Sequence, residues 1–100
     1  MPQAVPHDPY VTDVLMRDLV GHDRSPSTFV VYLWLWRRTV GENRPRVGAS
    51  LQTIATETGL SKSSVQNAVR RLKRRKLVSA VSEGATTAPT YQVHTPWRRC

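Results

Sequence analysis

The segment that decides the fold runs from Ser50 to Val78 and reads SLQTIATETGLSKSSVQNAVRRLKRRKLV. Apolar residues recur at helical spacing on both sides of Gly59, which predicts one helix from Leu51 to Thr58 and a second from Ser61 to about Arg75. Gly59 can adopt the left-handed backbone conformation that a sharp bend between two helices requires. The apolar side chains can then meet in one seam between the helices: Ile54, Ala55, Leu60, Val65, Ala68, Val69 and Leu72.

Positive charge is concentrated after Gly59. Residues 1–60 contain six Arg and six Asp or Glu, whereas residues 61–100 contain nine Lys or Arg and a single acidic residue, Glu83, so the second part carries the whole net charge of +8. An exposed helix ordinarily mixes charges of both signs, yet no acidic residue lies between Ser61 and Glu83. This distribution indicates a polyanionic partner, either nucleic acid or an acidic membrane, with a solvated basic face as the alternative.

Helical phasing predicts which side chains of the second helix leave the core. If the apolar residues face inward, the opposite side carries a polar and basic stripe. Amide and guanidinium groups suit base recognition, because Asn and Gln can pair with adenine and Arg with guanine in the major groove. The stripe consists of Ser63, Asn67, Arg70 and Arg74, with Gln66 and Arg71 on its flanks.

Two further helices are predicted ahead of this segment. Val11 to Val20 has apolar residues at offsets of three and four and is expected to form a short helix that ends at Gly21. Ser25 and Pro26 form a start signal, because a Ser side chain can cap free amides and Pro lacks only an N–H that the first turn does not use. A helix from Pro26 to about Val40 should follow.

The helix from Pro26 to Val40 is apolar on more than one side. One face is expected to pack on the crossing helices: Phe29, Tyr32, Leu33, Trp36 and Val40. Other apolar side chains point elsewhere: Val30, Val31, Trp34 and Leu35. A second face must therefore be covered, either by residues 11–20 or by a partner molecule, and we favour cover within the chain.

Two β-prone runs, Leu77–Val81 and Thr90–Val93, follow the basic helix, and the loop Ser82–Pro89 joins them. This pattern predicts a β-hairpin. A very short extended piece is also expected at residues 46–48, after the turn composition of residues 41–45. The predicted fold class is mainly α with a small β-hairpin.

The length predicts one folded domain, residues 10–94, between a flexible N-terminal arm at residues 1–9 and a C-terminal tail at residues 95–100. Cys100 is the single cysteine, so no intrachain disulfide can form, as expected in a reducing compartment. No apolar run approaches the roughly 20 residues that cross a bilayer, and residues 1–9 lack the apolar middle of a signal peptide. We expect a cytoplasmic protein.

No pattern of an enzyme site is present. The three histidines, His7, His22 and His94, are far apart and form no metal-ligand spacing with Cys100. The sequence also lacks a phosphate-cradling glycine loop and a nucleophile beside its base. We therefore expect no enzymatic activity, no metal and no cofactor.

The order helix, helix, short strand, helix, glycine turn, basic helix and hairpin resembles a winged helix-turn-helix domain. The segment Ser50–Val78 resembles the DNA-binding parts of bacterial regulators of the GntR and MarR kinds and the helix-turn-helix modules of phage and plasmid replication proteins. In that pattern an Ala stands four residues before the turn glycine, an apolar residue follows it and a β-branched residue lies six after it. Ala55, Leu60 and Val65 match, whereas Thr58 stands where the pattern often has a larger apolar residue.

The resemblance implies that helix 61–76 enters the major groove of double-stranded DNA. The first part of such a helix meets base edges, so the expected base-reading residues are Lys62, Ser63, Ser64, Gln66, Asn67 and Arg70. The expected phosphate-contacting residues are Arg71, Lys73, Arg74, Arg75 and Lys76. Wings of such domains often carry Arg or Lys, but Ser82–Pro89 has neither and includes Glu83. We therefore expect a weak wing contribution, with Arg98 and Arg99 either as substitutes near the DNA backbone or as part of a solvated terminus.

The leading hypothesis is sequence-specific binding of double-stranded DNA by a bacterial-type transcriptional regulator. The alternatives are the DNA-reading module of a phage or plasmid replication protein or a mobile element, and a protein-interaction module that uses the apolar helix 26–40. RNA or acidic-membrane binding through the basic helix is a third class, although an interfacial helix must keep its apolar face free. We expect a homodimer, because paired half-sites multiply specificity.

Overall fold

The computed structural model describes residues 9–22, 24–42, 44–82 and 88–94. Its elements are two π-helical stretches, Val11–Leu15 and Arg17–His22, then α1 (Pro26–Thr39), β1 (Val47–Gly48), α2 (Leu51–Thr58), α3 (Lys62–Arg74), β2 (Val78–Val81) and β3 (Thr90–Val93). The predicted fold class and the predicted order of elements are confirmed.

The first helical segment differs from the prediction in its winding. The N–H of Met16 donates to the carbonyl of Val11, five residues back, which is the wide π pattern rather than the α pattern. Val11, Leu15 and Leu19 are buried, so one stripe of this segment still faces the core.

The end of this segment also differs from the prediction that Gly21 terminates it. The helical backbone continues to His22. The N–H of Ser25 then donates to the carbonyl of Leu19 over 2.8 Å. Arg24, at a φ of 53°, supplies the left-handed residue of this turn. Gly21 does not end the helix because the reversal of the chain takes place three residues later.

The start of α1 is correctly predicted, but the capping group is not. The carbonyl of Ser25 accepts from the N–H of Thr28 over 3.1 Å. The hydroxyl of Ser25 makes no capping bond to a helix amide, because it is bonded to the hydroxyl of Thr28 instead. Pro26 occupies the first turn as expected.

The buried side of α1 lies at a slightly different angle from the predicted one. Leu33, expected to face the core, is 39% exposed. The helix packs against α3, β3, α2 and the Arg17–His22 stretch, and this packing leaves Leu33 partly exposed. The buried apolar residues of α1 are Phe29, Val31, Tyr32, Leu35 and Trp36, and Thr28 and Thr39 are buried as well.

Part of the second apolar face of α1 is covered within the chain. Val31 and Leu35 have no exposed surface, and α1 packs against the Arg17–His22 stretch, whose Leu19 is also fully buried. The preference for intrachain cover over a partner molecule is therefore confirmed for these two side chains.

The helices α2 and α3 begin and cross as predicted. The hydroxyl of Ser50 accepts from the N–H of Thr53, and that of Ser61 accepts from the N–H of Ser64, each over 3.1 Å. Such caps satisfy amides that the first turn leaves without intrahelical partners. Gly59 has a φ of 81°, the left-handed conformation that the bend was expected to require.

The helix α3 ends in a Schellman motif without a glycine. The N–H of Leu77 donates to the carbonyl of Leu72 over 3.0 Å, and the N–H of Lys76 donates to the carbonyl of Lys73 over 3.1 Å. Lys76 has a φ of 59° in the position that glycine usually occupies. Leu72 and Leu77 are both buried, which anchors the turn in the core.

The three strands form one antiparallel sheet in the order β1-β3-β2. The hairpin register pairs Val78 with Val93 and Ala80 with Tyr91. Val47 of β1 also pairs with Tyr91, so the short extended piece is a third strand. The hydroxyl of Tyr32 donates to the carbonyl of His94 over 3.1 Å and ties α1 to the end of β3.

Candidate nucleic-acid interface

The position of α3 is set by its buried side, which packs on α1, α2 and β2. The four residues predicted to face inward are all buried: Val65, Ala68, Val69 and Leu72. Burying four such side chains contributes several kcal/mol, so the rotation of α3 about its axis is fixed. The opposite side of the helix must then face solvent.

The exposed side of α3 carries the predicted stripe. Ser63, Asn67, Arg70 and Arg74 are all exposed, as is Gln66 on the flank. Arg71, on the other flank, is half-buried. The positive end of the helix dipole lies at the Ser61 cap, near the residues predicted to read bases, and favours a polyanion there.

Five of the six predicted base-reading residues lie on exposed surface: Lys62, Ser63, Gln66, Asn67 and Arg70. Ser64 differs, because it is half-buried and its hydroxyl accepts a hydrogen bond from Ser61 over 2.9 Å. Ser64 is thus tied to the cap of α3, and of the six its side chain is the least available to a base.

The predicted phosphate-contacting residues lie at the C-terminal end of α3. Lys73, Arg74, Arg75 and Lys76 are exposed, and Arg71 is half-buried. Cations at this end are favoured by the negative pole of the helix.

One of these cations has a carboxylate partner. The Nη2 atom of Arg75 lies 3.0 Å from Oδ2 of Asp18 in the first helical segment. Asp18 therefore neutralises part of the charge that Arg75 can offer to a phosphate. Nothing in the local sequence signals this contact, because the two residues are 57 positions apart.

A second charged cluster joins α2 to α1. Oε1 of Glu57 accepts from Nε1 of Trp34 over 3.1 Å and from Nη2 of Arg38 over 2.6 Å, while the Arg38 guanidinium lies 5.4 Å from the centre of the Trp34 ring. The hydrogen bonds from Trp34 and Arg38 hold the pKa of Glu57 below its ordinary value.

Glu57 is the single acidic residue between Ser50 and Ser82. Because Arg38 pairs with it, the one negative charge of the α2 and α3 pair is compensated from α1. The sequence did not predict this cluster, because it placed Trp34 on a face of α1 that was expected to be covered, whereas the structure leaves Trp34 half-buried.

The base of the wing lies beside the start of α2. The N–H of Ala49 donates to the carbonyl of Pro89 over 3.1 Å. The tip of the wing, including Glu83, lies outside the described residues. Residues 1–8 of the predicted arm and Arg98, Arg99 and Cys100 of the predicted tail also lie outside the described residues. The predicted arm ended at residue 9, but Pro9 already belongs to the first helical segment.

The described residues contain neither a metal-ligand cluster nor a membrane-spanning helix. In the described ranges, no three His, Cys, Asp or Glu side chains come together as metal ligands would. Over the same residues, no helix combines the length and apolar character needed to cross a bilayer.

The crossing helices, the glycine turn and the basic outer face of α3 define a helix-turn-helix DNA-binding domain with a small sheet beside it. Comparison with protein families agrees: the model of the family described as "Helix-turn-helix domain" matches residues 25–78, just over half of the chain. The match extends from the residue before α1 to the first residue of β2. The chain belongs to this family. No curated protein gives a significant match.

Proposed function

We propose that the protein binds double-stranded DNA at specific sequences by inserting α3 into the major groove, and that it acts as a transcriptional regulator in the cytoplasm. The observation that carries the proposal is the outer face of α3, which is exposed, polar and basic from Ser63 to Arg74 and has no acidic residue. Because the core fixes the rotation of α3 about its axis, these side chains lie together on one surface that a ligand can contact. The proposal requires no metal, cofactor or catalytic group.

Two sets of side chains on α3 have different tasks in this proposal. The residues that choose the base sequence are Lys62, Ser63, Ser64, Gln66, Asn67 and Arg70. The residues that hold phosphates are Arg71, Lys73, Arg74, Arg75 and Lys76. Residues 10–94 form the binding unit, and the arm and tail lie outside it.

Selection of bound duplexes from a random pool tests the proposal directly. An enriched motif is expected, and a two-fold repeat within it would indicate a homodimer. Affinity for the selected duplex should then fall with salt, with a slope of log affinity against log salt near about −5 if five or six phosphates are neutralised. Binding that stays weak and independent of salt would refute the proposal.

A DNA-reading module of a replication protein or mobile element is the alternative within the same class, because the interface on α3 would be the same. The selected motif distinguishes the two roles. A regulator's motif should occur upstream of transcription units, whereas a replication module's motif should occur as clustered repeats at an origin.

A second candidate function, protein interaction through α1, is favoured by one observation. Val30 and Leu33 are 37% and 39% exposed on the same side of α1, and Trp34 lies half-buried beside them. An apolar strip of this kind fits a homodimer contact. The solution mass of the wild type should then exceed that of a V30S/L33S double variant. Equal monomeric masses would exclude this function for the strip.

A further inference from the structure

The outer face of the sheet contains a cavity of about 140 Å³ that is separate from the surface of α3. The residues that line it are Arg46, Ser79, Val81, Thr90 and Gln92. A buried site needs on the order of 15 Å³ to admit one water, so this cavity has room for a small polyatomic ion.

Strand register explains why these side chains meet. Ser79 pairs with Gln92, and Val81 pairs with Thr90, so all four point to the same side of the β2 and β3 hairpin. Val47 pairs with Tyr91, and one more step along this antiparallel register brings Arg46 beside Gln92. Arg46, which directly precedes β1, therefore continues the row of Gln92 and Ser79 on the face of the sheet opposite to the core.

The groups that line the cavity are mainly hydrogen-bond donors. The Arg46 guanidinium offers a planar fork of N–H groups, Gln92 offers an amide, and Ser79 and Thr90 offer hydroxyls. Arg46 is exposed and has no ion-pair partner within the described part of the chain. Among the residues that the structure describes, no carboxylate lines the cavity. Such a set suits an anion with several acceptor oxygens, because guanidinium binds phosphate in a bidentate manner.

One neighbouring contact fixes a donor in place. Nε2 of His94 lies 2.9 Å from Oγ of Ser79, so the hydroxyl of Ser79 is held at the edge of the row. When His94 donates in this bond, the hydroxyl proton of Ser79 is directed to another acceptor. The lining of the cavity then offers donors from β2, from β3 and from the residue before β1.

We propose that this cavity binds a phosphate group, with Arg46 as its principal ligand and Ser79, Thr90 and Gln92 as secondary donors. The phosphate comes either from the backbone of the duplex that α3 holds, in which case the proposal rests on the proposed function, or from free phosphate or a phosphorylated small molecule. The chemistry of recognition is the same for both sources, so experiments must separate them.

The first experiment compares R46Q with R44Q in duplex binding. Arg44 is the matched control, because it is exposed, has the same charge and lies two residues away, outside the cavity. If Arg46 holds a backbone phosphate, R46Q should make the salt slope less negative by about 0.9. The loss of affinity between 50 mM and 200 mM salt should then be about 3.5-fold smaller than in the wild type. R44Q should keep the wild-type slope.

The second experiment titrates the DNA-free protein with inorganic phosphate and follows the side-chain NMR signals of Arg46 and Gln92. If the cavity binds phosphate, saturable shifts of both signals are expected in the wild type and in R44Q, and the Gln92 signal should not shift in R46Q. Shifts without any effect of R46Q on duplex binding would support the site and identify the free anion as its ligand.

The proposal is overturned if R46Q and R44Q behave alike in duplex binding and phosphate moves neither signal. Its failure is distinguishable from failure of the proposed function. If the wild type binds no duplex at all, the role of α3 is refuted, while the phosphate titration still decides whether the cavity binds the anion.

Discussion

The first half of α3, Lys62–Asn67, and its C-terminal end, Arg70–Lys76, differ in charge and in anchoring. The first half has one cation among hydroxyl and amide side chains, whereas six of the seven residues at the C-terminal end are Lys or Arg. The first half is held by the Ser61 cap and by the buried side chain of Val65, whereas the end is held by the Asp18 ion pair and by the turn that buries Leu77.

This difference shows how one helix can separate general attraction to DNA from the selection of a base sequence. Charge attracts any duplex, because every phosphate is alike. Amides and hydroxyls distinguish base pairs only when their direction is correct. The C-terminal end of α3, which is rich in Lys and Arg, can supply the general attraction. The first half of α3 can supply the discrimination between base pairs.

The largest expected effect comes from L72A, which truncates a buried side chain that holds α3 on the core. Leu72 is fully buried and forms part of the turn that closes α3. We expect the free energy of unfolding to fall by about 2–5 kcal/mol, measured by denaturant unfolding. V81A, at an exposed position, is the control and should change stability little. A similar loss in both variants would contradict the assigned core.

N67A tests the first half of α3, to which base recognition is assigned. Asn67 lies at the centre of the exposed stripe, and a bidentate amide pair with a base discriminates by about 1–3 kcal/mol. We expect preference at one base position of the selected motif to be lost, while affinity for unrelated duplexes is unchanged. Unaltered preference across the whole motif would remove Asn67 from the reading set.

R74A tests the C-terminal end of α3, to which phosphate binding is assigned. Arg74 is exposed and lies on the polar and basic stripe of the helix. Affinity should weaken alike on selected and random duplexes, and the salt slope should become less negative by about 0.9. Arg74 is a cleaner probe than Arg75, which Asp18 already engages. A loss restricted to the selected motif would reverse the assignment of the two halves.

K76G distinguishes the effect of backbone strain at Lys76 from the effect of its charge, in the turn that closes α3. Relief of the left-handed strain, offset by the greater freedom of glycine in the unfolded chain, should raise stability by about 0.5–1 kcal/mol. K76A loses the same charge but keeps the strain, so it should be no more stable than the wild type. Both variants should bind duplexes more weakly. Thermal unfolding of the three proteins makes the comparison, and equal melting temperatures would contradict it.

D18N gives the smallest expected effect. The pair with Arg75 is largely exposed, so its loss should cost at most about 1 kcal/mol of stability. Duplex affinity should increase a few-fold at low salt, because Arg75 is released toward phosphates. In a D18N/R75A double variant this gain should vanish. A gain that persists in the double variant would show that Asp18 acts on DNA through general repulsion instead.

Much of α2 and α3 could be predicted from local sequence, because their boundaries depend on neighbours. Ser50 and Ser61 cap helices that start one residue later, and Gly59 alone suffices for the bend. Periodicity placed Val65 and Leu72 inside, and they are. These features need no knowledge of distant parts of the chain.

Other features depend on topology and could not be read from local sequence. The partner of Arg75 is 57 residues away, and β1 acquires its role only by pairing with β3. Leu33 was misplaced because the angle at which α1 meets its neighbours is set by their packing, not by its own pattern. The cavity beside Arg46 likewise exists only where three strands lie side by side.

The compensation of Glu57 by Arg38 has a kinetic consequence. With that carboxylate paired, the outer face of α3 carries only positive charge, while residues 1–60 are balanced overall. The protein is therefore an electric dipole that a duplex can rotate before the two surfaces touch. Association should be fast at low ionic strength and slow steeply as salt is added, whereas dissociation should depend mainly on the short-range contacts made afterwards.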